Sequence, residues 1–314
     1  MQPIKDVLRK VVLCVLFICS VVAIFVMSTS AQADGIQENT NNAASDTPTL
    51  EMEVQADTEA LEARDNKIDI YVDYVQVCGI TTELTDGEVY VPVRLFAEAM
   101  LDCRIDYSES AGKLRITAEG LDFEAKCATN YVVANGRYFY VEEGIALRED
   151  GQIWLPLSVL VKPFGFDFKL DLSAKAAYLT DNGEVLEHGD TYYNEKDLYW
   201  LSRIINAEAR GESQLGQIAV GTVVMNRVKS TRYPNTVYGV VFDGSQFSPA
   251  VSGSIYKAPS EKCIISAKIV LEGYRVSDSI LFFHSIRSSK YDNFVNTDTE
   301  MVIDHQFFYT NYKR

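Results

Sequence analysis

The chain has 314 residues, 44 Asp and Glu against 29 Lys and Arg, and a net charge of −15. Acidity on this scale argues against nucleic acid as a partner, because phosphate binding needs basic surface. With 47% apolar residues there is enough material to bury the cores of two ordinary domains. The charge is unevenly placed. Residues 190–314 hold 13 acids and 14 bases, whereas residues 1–189 hold 31 acids and 15 bases. The near-neutral C-terminal part therefore reads as a separate unit.

The N-terminus reads as a targeting segment. Lys5, Arg9 and Lys10 form a basic start, Val11 to Met27 is an uncharged apolar run, and "STSAQAD" follows with Ala31 and Ala33 in an A-x-A pattern. Residues 1–33 are thus expected to be either a signal peptide cleaved after Ala33 or an uncleaved membrane anchor. Both place the remainder outside the cytoplasmic membrane. Any membrane contact is expected through this segment alone. Residues 34–66 are polar, acidic and poor in aromatics, which marks a flexible linker that cannot bury enough surface to fold by itself.

From Lys67 the pattern turns to strands. "IDIYVDYVQV" alternates apolar and polar positions. Asn135-Gly136, between "YVVA" and "RYFYV", predicts a type I′ hairpin, whose central residues both need positive φ. A repeat runs through this stretch. "DGEVYVPVRLFAEAM" starts at Asp86 and "DGQIWLPLSVLVKPF" 64 positions later, at Asp150. "SAGKLRIT" at Ser110 is matched by "SAKAAYLT" at Ser173. Each copy reads as turn, strand, short helix, strand, turn, strand, and two copies predict one small α+β domain over 67–181. The "VPVR" and "LPLS" strand ends resemble the signature of copper-amine-oxidase N-terminal-like domains. The resemblance implies no copper, and the stretch holds no His to bind one. A spacer, or attachment to wall polymer or a protein partner, are equal expectations for it.

Past "DNGEVLEHGD" the period becomes helical. Asn194 is a candidate N-cap, and Leu198, Leu201, Ile204 and Ile205 form one apolar stripe. Gly211 is a candidate C-terminal stop. Ser213 is placed to cap a second helix with the stripe Leu215, Ile218, Ala219, Thr222, Val223, where Gly216 and Ala219 would admit a neighbouring helix. A third helix, "EKCIISAKIVLEGY", is expected to stop at Gly273. Loops are expected between the second and third helices and beyond the third. The four cysteines past the export segment, Cys78, Cys103, Cys127 and Cys263, lack metal-site spacing and read as buried free thiols, with one disulfide among the first three as the alternative.

Glu208 falls at i+4 from Ile204 and i+3 from Ile205, so it extends an apolar stripe. Two readings follow from periodicity alone. The helix end frays and the carboxylate is solvated, or the carboxyl sits in a dry cleft, where desolvation keeps it protonated and able to donate to a glycosidic oxygen.

The wider wording resembles the SleB/CwlJ family of cell wall hydrolases, the spore cortex-lytic type. "INAEARGESQLGQIAVGTVVMNRVKS", "YPNTVYGVVFDGSQFSPAVSGSI", "SILFFHSI" and "VIDHQFFY" stand in the family's order and cover 190–314. The resemblance implies a mostly α-helical, lysozyme-like catalytic domain acting on peptidoglycan glycan strands, so that the whole chain would be an α+β multidomain protein. It implies that Glu208 is the catalytic acid of a lytic transglycosylase. That reaction needs no second carboxylate, since the C6 hydroxyl of N-acetylmuramic acid is the nucleophile. A muramidase-type hydrolase, with Glu212, Asp243, Asp292, Asp298 or Asp304 as its second carboxylate, is the alternative. A wall-binding scaffold without catalysis is the other. Gln246, Phe247 and Ser248, in a turn-rich loop, are candidate sugar contacts, as are Glu212, His284, Tyr291 and His305. Tyr309, beside His305 in the terminal aromatic block, reads as packing. "RSSKYDNF" departs from the family, which more often carries a Trp or an Asn-Pro there. No metal or cofactor is expected, for the chain holds no HExxH, no Cys cluster, no phosphate-cradling Gly loop and no G-x-S-x-G elbow.

Overall fold

The computed structural model describes residues 66–244, 246–285 and 299–310. The export segment, the acidic linker up to residue 65, Tyr291, Asp292 and Asp298 lie outside the described residues.

Strands β1 (Asp69–Val72), β2 (Val75–Val77), β3 (Glu83–Thr85) and β4 (Glu88–Pro92) precede helix α1 (Val93–Met100). Strands β5 (Cys103–Ser108), β6 (Lys113–Ala118), β7 (Leu121–Lys126), β8 (Tyr131–Ala134), β9 (Arg137–Tyr140) and β10 (Trp154–Pro156) lead to α2 (Leu157–Val161), β11 (Phe166–Asp171) and β12 (Ala176–Asp181). Helices α3 (Gly189–Tyr192), α4 (Glu195–Ala209), α5 (Gln214–Lys229), α6 (Val237–Phe242), α7 (Ser248–Ser252) and α8 (Glu261–Glu272) follow. The described chain ends with β13 (Phe282–Ser285), β14 (Thr299–Ile303) and β15 (Gln306–Tyr309). The structure is thus mixed α/β, and it divides into two compact units.

The first unit gathers residues up to Tyr107, Ile116–Gly120 and Leu147–Glu184. Its larger sheet runs in the order β11-β12-β1-β2, with β1 parallel to β12 and Ile70 opposite Ala177. Its smaller sheet is β10-β4-β3. Pro92 and Pro156 each close a strand and cap the helix that follows. A proline suits that junction, because its fixed φ suits the exit from the strand and its missing N–H costs the ladder least at a strand end. Val91, Val93, Phe96, Leu155, Leu157 and Leu160 are fully buried around these junctions.

The second unit gathers Ser108–Arg115, Leu121–Ala146 and everything from Val185 onward. Residues 121–146, which the sequence assigns to the repeat-built block, therefore cluster with the later helices. The hairpin turn is as expected, with Asn135 at φ 48° and Gly136 at φ 75°. Asn135 also accepts a backbone bond from Gly189 and donates its side-chain amide to the carbonyl of Leu186 at 2.8 Å. A bidentate pair joins Arg137 on β9 to Glu272 at the end of α8, with Arg137 Nε 2.9 Å from Glu272 Oε2. Both side chains are shut away from solvent, at 5% and 4% exposure. Tyr193 donates its hydroxyl to Glu272 at 3.4 Å, and Tyr192 lies 3.4 Å from the Arg137 guanidinium carbon.

The α4 cap is as the sequence reads, since Asn194 Oδ1 accepts from the backbone of Lys196 and Asp197. The other predicted caps also form. Ser213 accepts from Gly216 N at the start of α5, and Gly273 ends α8 at φ 117°. At the start of α8, Ser260, which the sequence reading does not mark, accepts from Cys263 N. Gly211 falls at C′, directly after the cap residue Arg210, as expected of a stop, but without the left-handed φ that a C′ glycine usually supplies. Three expectations need correction. Helix α5 is not a one-stripe surface helix. It is buried all round, from Gly216 to Val224 and again at Asn226 and Arg227. The close helix approach falls at Gly221, where a Cβ would stand 2.9 Å from Val270 of α8 and 3.0 Å from Ile205 of α4. Finally, the two expected loop regions carry structure. Helices α6 and α7 and a 3₁₀ turn (Ser254–Tyr256) lie between α5 and α8, and β13-β15-β14 form an antiparallel sheet beyond. The short runs "VYGVVF" and "SPAVS" are too brief for helical periodicity to register.

All four described cysteines are free thiols. Only Cys263 is buried, whereas Cys78 is exposed and the other two are half-buried.

Candidate active site

Glu208 sits in the last turn of α4, after the fully buried Leu201, Ile204 and Ile205. It is half-buried, and burial pushes its pKa above the ordinary carboxylate range. No hydrogen bond or ion pair reaches its carboxyl oxygens among the described residues. Of the two readings that periodicity left open, the desolvated carboxyl is the one the structure presents.

The segment from Glu208 to Ser213 is held from three sides. The C-terminal hairpin contributes most. Gln306 donates its amide to the Glu208 carbonyl at 3.2 Å, and Asp304 accepts from Ser213 N at 2.8 Å. His305 donates its backbone N–H to Glu212 Oε2 at 3.3 Å and holds Nδ1 3.1 Å from the same oxygen. From α5, the buried Gln217 donates to the carbonyls of Arg210 and Glu212, both at 3.4 Å, and accepts from Ser266 on α8. From α8, Lys262 donates to the Glu212 carbonyl at 3.0 Å. The carbonyls of Glu208 in the last turn and of the cap residue Arg210 thereby find partners. Gly216 is required for this arrangement, because a Cβ there would collide with the Asp304 carboxylate.

These contacts place the sequence-predicted residues. Glu212 and His305 come together as a hydrogen-bonded pair, with the Glu212 side chain only 16% exposed. Both are engaged with each other and with the loop. Asp304 serves as an acceptor for the start of α5 through Oδ2. Asp243 caps the end of α6. Phe247 requires a correction. It is only 2% exposed and packs in the core between the Arg227 guanidinium and Phe283, so its ring offers no face to a sugar. Gln246 and Ser248 on either side of it are exposed. His284 is half-buried on β13 opposite Phe307. Tyr291 lies outside the described residues. Tyr309 is buried and stacks on Phe282, 5.5 Å between ring centres.

Gln217, Asn226, Arg227 and Gln306 were not singled out as site residues. Asn226 donates to the carbonyls of Ser277 and Ile280, at 2.9 and 3.0 Å, and Arg227 Nε donates to that of Leu281 at 2.8 Å. These side chains fix the entry of β13. The signal for Gln217, Asn226 and Arg227 is a polar residue on an otherwise apolar helix, which reads as a polar edge until the helix proves to be buried on every side, whereas Gln306 on β15 carries no such signal.

Two family models match the chain. A cell wall hydrolase model covers residues 211–309, and a copper amine oxidase N-terminal domain model covers 71–179. The first begins three residues after Glu208. A cell wall hydrolase CwlJ of Oceanobacillus iheyensis is 31% identical over 99 residues, which is 29% of this chain and 70% of that protein. The chain belongs to the cell wall hydrolase family. A spore cortex-lytic enzyme of Bacillus cereus is 34% identical over 91 residues, 29% of this chain. The chain spans about a third, 35%, of the length of that relative. The crystal structure of the catalytic domain of the Bacillus cereus SleB protein shares 28% identity, covering 39% of this chain and 98% of that one, with a TM-score of 0.34.

Proposed function

We propose that the chain is an extracytoplasmic peptidoglycan-cleaving enzyme, built on a lysozyme-like helical domain and acting on spore cortex or vegetative wall. Its bond is the one between N-acetylmuramic acid and N-acetylglucosamine. Glu208 is the general acid. The observation that carries this is an unpaired carboxyl, desolvated at a helix end whose backbone is anchored on three sides. A carboxyl of this kind keeps its proton to higher pH and can pass it to the glycosidic oxygen as the C1–O bond breaks. Positive charge then builds at C1 of the muramic residue. In a lytic transglycosylase the muramic C6 oxygen closes onto C1, and its hydroxyl proton returns to the Glu208 carboxylate. The products are a 1,6-anhydromuramic end and a free 4-hydroxyl, and Glu208 ends protonated as it began.

The engagement of Glu212 by His305 favours this reading over a muramidase. A hydrolase needs a second carboxylate free to activate water or to attack C1. Among the described candidates, Glu212 and Asp304 each accept hydrogen bonds within the loop, and Asp243 stands at the end of α6. The family relatives named spore cortex-lytic enzyme support a wall polymer as substrate.

Digestion of purified peptidoglycan by the wild type and by Glu208→Gln, followed by mass spectrometry, tests the reading. Wild type is expected to release anhydromuramic ends. The variant is expected to lose at least a hundredfold in rate, the contribution of one positioned acid. Reducing ends would replace the transglycosylase with a hydrolase. Full activity of the variant would remove Glu208 from the mechanism, and binding without cleavage by wild type would leave a scaffold.

A further inference from the structure

Five aromatic residues come together on the second unit from three separate elements. Trp200 of α4 is the hub. Its ring meets Tyr199 at 4.8 Å, Phe242 at 5.1 Å, Tyr238 at 5.4 Å and Tyr256 at 6.1 Å, all edge to face. Tyr238 and Phe242 also contact each other, 4.6 Å between centres. Such rings ordinarily close a core, yet here the rim is open. Tyr238 and Tyr256 are 54% and 60% exposed, and Val251 on the adjoining α7 is more exposed still. Tyr199 is exposed as well, with one face covered by the Arg203 guanidinium 3.5 Å away. An aromatic patch left open in this way marks a contact surface.

Its position on α4 says what it contacts. Trp200 and Glu208 are eight residues apart, a rise of about 12 Å, and differ by about 80° around the helix axis. They therefore lie along one side of α4, a span of a few sugar rings. Between them Ala207, at the outer edge of α4, is half-buried and carries only a methyl group, whereas Ile204 is fully buried and faces the core. The rings are mostly tyrosines, which offer a flat apolar face to the C–H face of a sugar and a hydroxyl to its polar edge.

We propose that Trp200, Tyr238 and Tyr256 form a glycan-strand subsite several sugars away from the scissile bond. The inference rests on Glu208 marking the cleavage point. The subsite holds the sugar rings of the glycan strand by stacking, so it adds affinity for long strands without touching the reacting atoms.

The test uses the full chain and peptide-stripped glycan strands of graded length. Tyr238→Ala and Tyr256→Ala together remove only exposed rings, so the fold is expected to persist, as thermal melting would show. On long strands the double variant is expected to raise KM about tenfold with kcat within twofold, as for two lost stacking contacts. On fragments too short to span from Glu208 to Trp200, its KM is expected to match wild type. An unchanged KM on long strands, or an equal rise on short ones, would overturn the subsite. Co-sedimentation with insoluble walls, done in the Glu208→Gln background with and without the tyrosine changes, separates this idea from the enzymatic reading. Weaker sedimentation of the triple variant supports the subsite even if Glu208 proves not to be the acid. Equal sedimentation overturns it and leaves the patch to a protein partner.

Discussion

At Glu208 the physics is that of one carboxyl losing water. Desolvation raises its pKa, so the folded chain keeps a proton over a pH range in which the unfolded chain has released it. Stability then falls as pH rises through that range, starting from the unfolded value of about 4.3. Glu208→Gln never ionises and escapes this loss. The variant is expected to melt about 2–4 °C above wild type at pH 7–8 for each kcal/mol of relieved desolvation. That advantage should close below about pH 4.3. Melting curves across pH check this, and a difference independent of pH would show that Glu208 is not the desolvated group. The sequence placed Glu208 on its apolar stripe through Ile204 and Ile205 alone. It could not show Gln306 donating to the Glu208 carbonyl, because that bond spans 98 positions and its acceptor is a backbone atom with no side-chain signature.

At the scale of elements, α5 decides the arrangement. It touches both α4 and α8 through Gly221, with Ile205 and Val270 pressed against the missing side chain. Gly221→Ala is therefore expected to overpack the core and cost about 1–3 kcal/mol. Gly211→Ala meets open space at an ordinary φ and is expected to be neutral within about 0.5 kcal/mol. Urea midpoints at unchanged slope would measure both. The sequence marks Gly216 as the close approach of a helix, whereas Gly216 packs against Asp304 and the helices meet at Gly221. Caps were legible at Asn194 and Ser213 because a cap is a local bond between near neighbours. Burial on all faces of α5 was not, since it is set by which helices arrive around it. The same holds for Phe247, which looked like a loop aromatic and proves to be core.

At the scale of the molecule, the Arg137–Glu272 pair joins β9 to α8 inside the second unit. Removing one partner strands the other charge without water. Arg137→Met is expected to cost about 3–5 kcal/mol, and the double change Arg137→Met with Glu272→Leu should recover most of it. Chemical denaturation of the three variants would show this coupling, and simple additivity would refute it. Nothing in the sequence marks the pair. Arg137 reads as the residue after a hairpin turn and Glu272 as the last residue before a helix stop. The division of the chain was visible in its charge and in its change of period, whereas the placement of residues 121–146 with the later helices was not. That placement bears on the order in which the molecule forms. The two charged partners are 135 positions apart, so the hairpin emerges first and stands with an unmet cation and exposed tyrosines until α8 is complete. A contact of such long range is closed late and slowly. The second unit should thus mature only once α8 is complete, its hairpin exposed to proteases and to neighbouring chains for as long as Arg137 waits for its carboxylate.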